Sequence, residues 1–207
     1  DVELFGRVVR LGISDLNVGL LYILSVASVA VYGIVLAGWS SANKYSLMGG
    51  LRASAQMISY EIALGLAIIG PILLAGTMSL QGIIAAQQHA TWYVVWQPVG
   101  ALVFFLAGLA EVNRAPFDMP EAEQELTAGY FTEYSGMKFS LFFMGEYIKM
   151  MAVSAIAATL FFGGYLGPFV EQMPWLGILY FSAKTAAFLF VMIWLRLTLP
   201  RLRYDQL

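Results

Sequence analysis

The run NVGLLYILSVASVAVYGIVLAGW, residues 17–39, passes 23 positions without a charge. At about 1.5 Å per residue it is long enough to cross the ~30 Å hydrocarbon core of a bilayer. Trp39 closes it, as an aromatic at a membrane interface does. The composition agrees: 60% of residues are hydrophobic, 12% are charged and the mean hydropathy is +0.75. That balance places the chain among membrane proteins. A net charge of −2 argues against nucleic acid, which calls for a basic face. The absence of cysteine excludes disulfides, thiolate nucleophiles and cysteine-ligated iron–sulfur clusters on this chain. A single histidine, His89, cannot supply both axial imidazoles of a b-type haem. Any electron carrier must therefore sit on another chain or on a diffusible substrate. The chain begins at Asp1 with neither an initiator Met nor a signal-peptide pattern, so it reads as a piece of something longer.

Four further apolar runs follow, at residues 58–80, 93–109, 139–162 and 175–199. The second span carries Glu61 near its start and is interrupted by Gly65, Gly70 and Pro71, which read as a kinked helix packed closely on its neighbours, or as the wall of a water-filled cavity. The third contains Pro98 and follows a loop with Gln87, Gln88 and a solvated His89. No strand signal is present. The expectation is an all-α membrane protein, a polytopic bundle of about five transmembrane spans. Residues 1–207 would form a single domain, incomplete at both ends. Five spans put residues 40–57, residues 111–138 and the C-terminus on one side, with Lys44, Arg52, Arg114, Lys138, Arg196, Arg201 and Arg203. Only Arg7 and Arg10 lie on the other side, so the first side is read as cytoplasmic.

The segment 111–138, EVNRAPFDMPEAEQELTAGYFTEYSGMK, joins the third and fourth spans. It holds six of the thirteen acids (Glu111, Asp118, Glu121, Glu123, Glu125 and Glu133) against Arg114 and Lys138. Pro116 and Pro120 keep its start extended. Asp118 stands at an N-cap position with Glu121 three residues on, a capping-box spacing. A short helix over 120–130 would put Glu121 and Glu125 one turn apart, where like charges repel by ~0.2–0.5 kcal/mol. A loop that only joined two helices would not need this. Docking of a soluble partner and proton transfer both fit, and are compatible.

Other charges lie within the apolar runs. Counted from residue 139, Glu146 is ~10 Å deep and Lys149 ~15 Å, and Lys184 is ~12 Å into the last run. A charge at the bilayer centre costs ~2.5–3.5 kcal/mol, so such residues face protein or water. One reading is structural ion pairing, Glu146 with Lys149 one turn away, or Lys184 with an acid on another helix. The other is a proton path through Glu61, Glu111 and Glu146, because carboxylates kept from water without a partner exchange protons closer to neutral pH. The phenylalanines and methionines of 139–162 read as packing.

The stretch EVNRAPFDMPEAEQELTAGYFTEYSGMKF, followed by LFFMGEY, closely resembles the signature region of the quinone-cavity membrane subunit of respiratory complex I (NADH:quinone oxidoreductase), the H-type subunit in bacterial nomenclature. WSSANKYSLMGGLRASAQMISYE (39–61), DLNVGLL (15–21) and LPRLRYDQL (199–207) are similar to it as well. The resemblance covers essentially the whole chain. It implies the central part of a protein of about eight transmembrane helices, whose loop at 111–138 faces the soluble arm and lines the quinone chamber. Carried over by position, Glu61, Glu111 and Glu146 form the proton path. Glu121, Glu123, Glu125 and Glu133 lie on the coupling loop, which Arg114 and Asp118 hold in shape, and Lys149 is assigned little. The chain would be a subunit without redox centres, inactive alone. Quinone is the implied substrate, and NADH, FMN and iron–sulfur clusters would sit on partner subunits. The implied partners are the soluble-arm subunits at the chamber, including the one with the terminal iron–sulfur cluster, and neighbouring membrane-arm subunits. The motifs read closer to the bacterial respiratory form, in the plasma membrane, than to the mitochondrial one.

Three other readings compete: an ion-translocating subunit of a related membrane-bound hydrogenase, a stand-alone ion transporter, and a passive anchor. No inverted repeat supports the transporter, and the acids within the spans argue against the anchor.

Overall fold

A computed structural model of the chain describes residues 2–4, 7–9, 15–88, 91–118, 129–170, 172–200 and 202. Helices α1 (Gly19–Ser40), α2 (Lys44–Ala75), α6 (Gly136–Phe161) and α7 (Trp175–Thr198) are each long and apolar enough to cross a membrane. Between them lie α3 (Leu80–Gln88), α4 (Tyr93–Trp96), α5 (Pro98–Glu111) and a 3-10 turn at Gly129–Phe131. This is a helical membrane bundle, as the apolar runs led one to expect. One addition is a three-residue antiparallel ribbon, β1 (Val2–Leu4) with β2 (Arg7–Val9), Val2 opposite Val9. Strands this short lie below the length at which alternation can be read.

The second helix departs most from expectation. It begins at Lys44, not near residue 58, and runs 32 residues. Asn43 caps it, its side-chain oxygen accepting from the Tyr45 N–H at 3.0 Å. The polar, glycine-rich segment SLMGGL is helical because its glycines face other backbone. A Cβ on Gly50 would stand 3.3 Å from Gly38 Cα of α1, and one on Gly49 would stand 2.9 Å from Gly129 Cα. Small residues let backbones approach this closely in membrane bundles. The helix also continues through Gly65, Gly70 and Pro71. Gly70 leaves room for the side-chain amide of Gln97, which an added Cβ would meet. Gly76, in the left-handed region at φ 68°, ends the helix.

The expected third span is divided. Pro98 starts α5 at the first helical position, where its missing N–H costs nothing. Ahead of it, α3 is a helix where a loop was expected, and its Gln87 is buried. Gln87 Nε2 donates to the carbonyls of Thr159 and Leu160, both at 3.2 Å, and its Oε1 accepts from the Tyr93 N–H at 3.3 Å. One amide thus joins α3, α4 and the end of α6. The core around it is apolar, with Leu20, Ile68, Ile83, Phe104, Leu160 and Phe161 almost wholly buried.

For Lys184, the reading as an ion pair with an acid does not hold, because its partners are backbone carbonyls. Its ammonium donates to Phe162 O at 2.7 Å, Gly164 O at 2.9 Å and Leu166 O at 2.6 Å. All three N–H groups are used, at the C-terminus of α6, where the helix dipole favours a cation. The Trp92 ring lies 5.0 Å from the same nitrogen. Lys184 therefore staples α7 to the turn that ends α6. Replacing it with Met leaves three carbonyls without their donor and is expected to destabilise the fold by ~2 kcal/mol or more. Thermal melts of the full-length chain in detergent check this. A Lys184→Met melt equal to wild type would contradict the staple.

Candidate functional site

The chain's buried charges meet where α5 ends and α6 begins its descent. Residue Asn113, in the left-handed region at φ 57°, terminates α5 just after Glu111 and redirects the backbone. The turn that follows, Arg114 to Phe117, is closed by a bond from the Phe117 N–H to Arg114 O at 2.9 Å. Gln56 of α2 secures it from beneath, its Nε2 donating to Ala110 O at 2.9 Å and Phe117 O at 2.7 Å. The Tyr60 ring adds a contact to Phe117, centroids 5.8 Å apart. Gln56 thus ties the last turn of α5 to the start of the acidic loop.

So positioned, Arg114 is buried and paired with Glu146 of α6. Its guanidinium also lies 5.0 Å from the Phe143 ring. Lys149, one turn further along α6, reaches the other way, its Nζ 3.1 Å from Glu111 Oε1. One pair joins α6 to the end of α5 and the other joins α6 to the turn after it, so Glu146 does not pair with its own-helix neighbour Lys149. Among the described residues, these two acids and two bases sum to zero, which lowers the cost of holding charge away from water. Of the three carboxylates expected to be unpartnered, Glu111 and Glu146 are ion-paired. Lys149, which the sequence reading set aside, is central to the site.

Glu111, Glu146 and Lys149 stand on the wall of a groove of about 480 Å³, lined also by Ile23, Ala27 and Ala30 of α1, Met57 of α2, and Tyr130 and Phe142. A larger cavity of about 670 Å³ lies near Gln87, Trp92 and Tyr165, but none of its described lining residues is charged. The charges, more than the size, select the groove. Glu61 is not brought into the quartet. It lies on α2 one turn beyond Met57 and accepts a hydrogen bond from Ser28 of α1.

The acidic loop is described only at its ends. Asp118 is half-buried at the near end. Glu121, Glu123 and Glu125 lie outside the described residues, as does most of the helix expected over 120–130, whose last two residues fall in the 3-10 turn. At the far end the chain docks on the α1–α2 corner. The exposed Glu133 accepts from Asn43 Nδ2 at 2.9 Å, and Tyr134 Oη donates to Ala37 O at 2.9 Å. Ser46 Oγ donates to Tyr130 O at 3.3 Å beside the Gly49–Gly129 contact. The phenylalanines of α6 pack here: Phe142 and Phe143 lie 5.6 and 5.8 Å from the Phe131 ring. Among the described residues, no group of three His, Cys, Asp or Glu side chains could hold a metal ion.

Sequence reasoning missed Gln56, Asn113 and Lys149. For Lys149 the signal was present, a cation in an apolar run one turn from Glu146. For Gln56 and Asn113 nothing short of the three-dimensional contacts distinguishes them from other polar residues.

A matching family model, described as NADH dehydrogenase, covers residues 4–207. Over 206 residues the chain is 56% identical to the H-type subunit of the NADH-quinone oxidoreductase of Protochlamydia amoebophila, covering 100% of this chain and 62% of that protein. It is 51% identical to the corresponding subunit of Thermomicrobium roseum over 215 residues, covering 100% and 62%. It is 52% identical to one from Geobacter metallireducens over 206 residues, covering 100% and 61%. The chain thus spans about three-fifths of the length of the curated relatives it matches.

The crossed pairs generate a stability prediction. Removing one member of a buried pair strands its partner and typically costs ~3–5 kcal/mol. Glu111→Gln and Lys149→Met should each destabilise the full-length chain, and the double variant should lose less than the sum of the two. Denaturation of the four proteins in a double-mutant cycle tests this, and strict additivity would show that the pair does not form.

Proposed function

The chain belongs to the family of H-type subunits of NADH-quinone oxidoreductase, and we propose that it serves as a membrane subunit of a proton-translocating NADH:quinone oxidoreductase. In this reading it forms part of the quinone chamber and of the carboxylate path that couples quinone reduction to proton movement. NADH oxidation, FMN and the iron–sulfur clusters belong to partner subunits, with the terminal cluster on a soluble-arm subunit docked at the acidic loop. Neighbouring membrane-arm subunits would receive the coupled charge. The complex would sit in a bacterial plasma membrane.

The observation that carries the reading is the charged quartet at the mouth of the acidic loop. Arg114 is the first charged residue of that loop after Glu111, and it is paired with an acid on a membrane helix. A change of charge or shape in the loop therefore acts directly on Glu146. Quinone takes up protons with its electrons, and the loop acids Glu121, Glu123, Glu125 and Glu133 would respond to that demand. Arg114 and Asp118 would pass the response to the quartet. Glu111 and Glu146 would hold the proton within the apolar groove, where fixed partners and little water make charge movement costly and so controllable. Glu61, on Ser28 one turn past the groove, would receive it next.

Neutralising either end of this path tests the assignment. Glu146→Gln and Glu61→Gln, each in the full-length chain within its complex, should lower NADH-driven proton pumping several-fold. Acidification of inverted membrane vesicles reports the effect, with complex abundance measured alongside. Near-normal pumping and quinone reduction in both variants would remove these residues from the mechanism.

A further inference from the structure

Lys149 has two carboxylates within reach, and only one of them holds it. Glu111 lies across the α5–α6 interface at 3.1 Å. Glu146 lies three residues earlier on α6, and side chains at that spacing are neighbours on a helix surface. Glu146 is meanwhile held by Arg114. Among the described residues, the other elements around the groove bring no further charge: α1 contributes apolar residues, α2 contributes Met57 and the 3-10 turn contributes Tyr130. The lysine stem gives the ammonium freedom to move, whereas the guanidinium is fixed over the Phe143 ring at 5.0 Å.

We propose that Lys149 is a positioning residue that exchanges carboxylates, resting on Glu111 and turning to Glu146 when Glu111 takes up a proton. This deepens the reading above and rests on it. The step is a protonation alone. One proton from water on the loop side adds to a Glu111 carboxylate oxygen, giving the neutral acid, and Lys149 remains an ammonium throughout. The quartet passes from zero charge to one positive charge, and the displaced ammonium finds its nearest acid on its own helix. Glu146, now shared, holds Arg114 less tightly. Arg114 heads the acidic loop, so loading of the carboxylate is reported back to the loop. Coupling of this kind needs a base able to choose between two acids, which neither a single ion pair nor a lone carboxylate provides.

Glu111→Gln imitates the protonated state and allows the exchange to be observed without any activity. The full-length chain in lipid bilayers is labelled with ¹⁵N at the lysine Nζ and ¹³C at the glutamate Cδ, and nitrogen–carbon dipolar couplings are measured by solid-state NMR. The Lys149 signal is assigned by its loss in Lys149→Arg. It should be coupled to a glutamate carboxyl in the wild type, stay coupled in Glu111→Gln, and lose the coupling in Glu111→Gln/Glu146→Gln. Loss already in Glu111→Gln, or persistence in the double variant, would overturn the exchange. A second arm uses the complex and does not depend on those variants folding. Lys149→Met should at least halve the protons moved per electron, counted per assembled complex, and Lys149→Arg should restore the ratio. A wild-type ratio in Lys149→Met, or equal damage in both variants, would sink the proposal. If the wild-type complex moves no protons with NADH and quinone, the functional reading fails, and the NMR couplings alone decide the exchange.

Discussion

The crossed pairing of Glu111 with Lys149 and Arg114 with Glu146 is the constraint on which the rest of the site depends. Each of these charges alone in an apolar bundle would be costly, and each pair alone would leave a strong dipole beside the groove. Set crosswise between α5 and α6, the four sum to zero and hold two helices and the start of a loop in register. Several packing features then acquire a reason. Gln56 fixes the turn that aims Arg114, Asn113 ends α5 so that this turn can form, and Phe143 supports the guanidinium. The buried charge orders the surrounding elements and is in turn made tolerable by them.

A second contrast separates the two ends of the bundle. At the loop end, ionised side chains pair with one another between α6 and the end of α5 or the turn after it. At the opposite end, Lys184 spends every donor on the carbonyls that close α6, and Gln87 joins three elements with one amide. The first arrangement offers alternative partners, and the second offers none. A subunit that transmits a local charge change needs both, a responsive cluster and a fixed frame against which it moves.

Much of this was legible in the residues. Uncharged runs located the long helices, because a bilayer core sets a minimum apolar length. Glu111, Glu146 and Lys149 stood out as charges where apolar residues were expected. The start of α2 was not legible, since SLMGGL reads as a polar glycine-rich loop until Gly38 and Gly129 are seen against it. Nor were the partners legible. Spacing along one helix favours Glu146 with Lys149, whereas packing of α5 on α6 selects the cross pairs. An acid was one partner the residues offered Lys184, but helix termini supply acceptors that no count of charges records. The residues announce which groups must be satisfied, and the fold decides by whom.

We propose that this chain couples a redox reaction on its partners to proton movement through its own carboxylates. The most direct measurement is to tag the full-length protein, extract it gently from its native membranes and reconstitute what co-purifies into vesicles. Quinone reduction and proton movement are then followed together after adding NADH. Both should begin with NADH, and a quinone-site inhibitor should stop both. A protein that emerges alone, and moves ions without any electron donor, would contradict it.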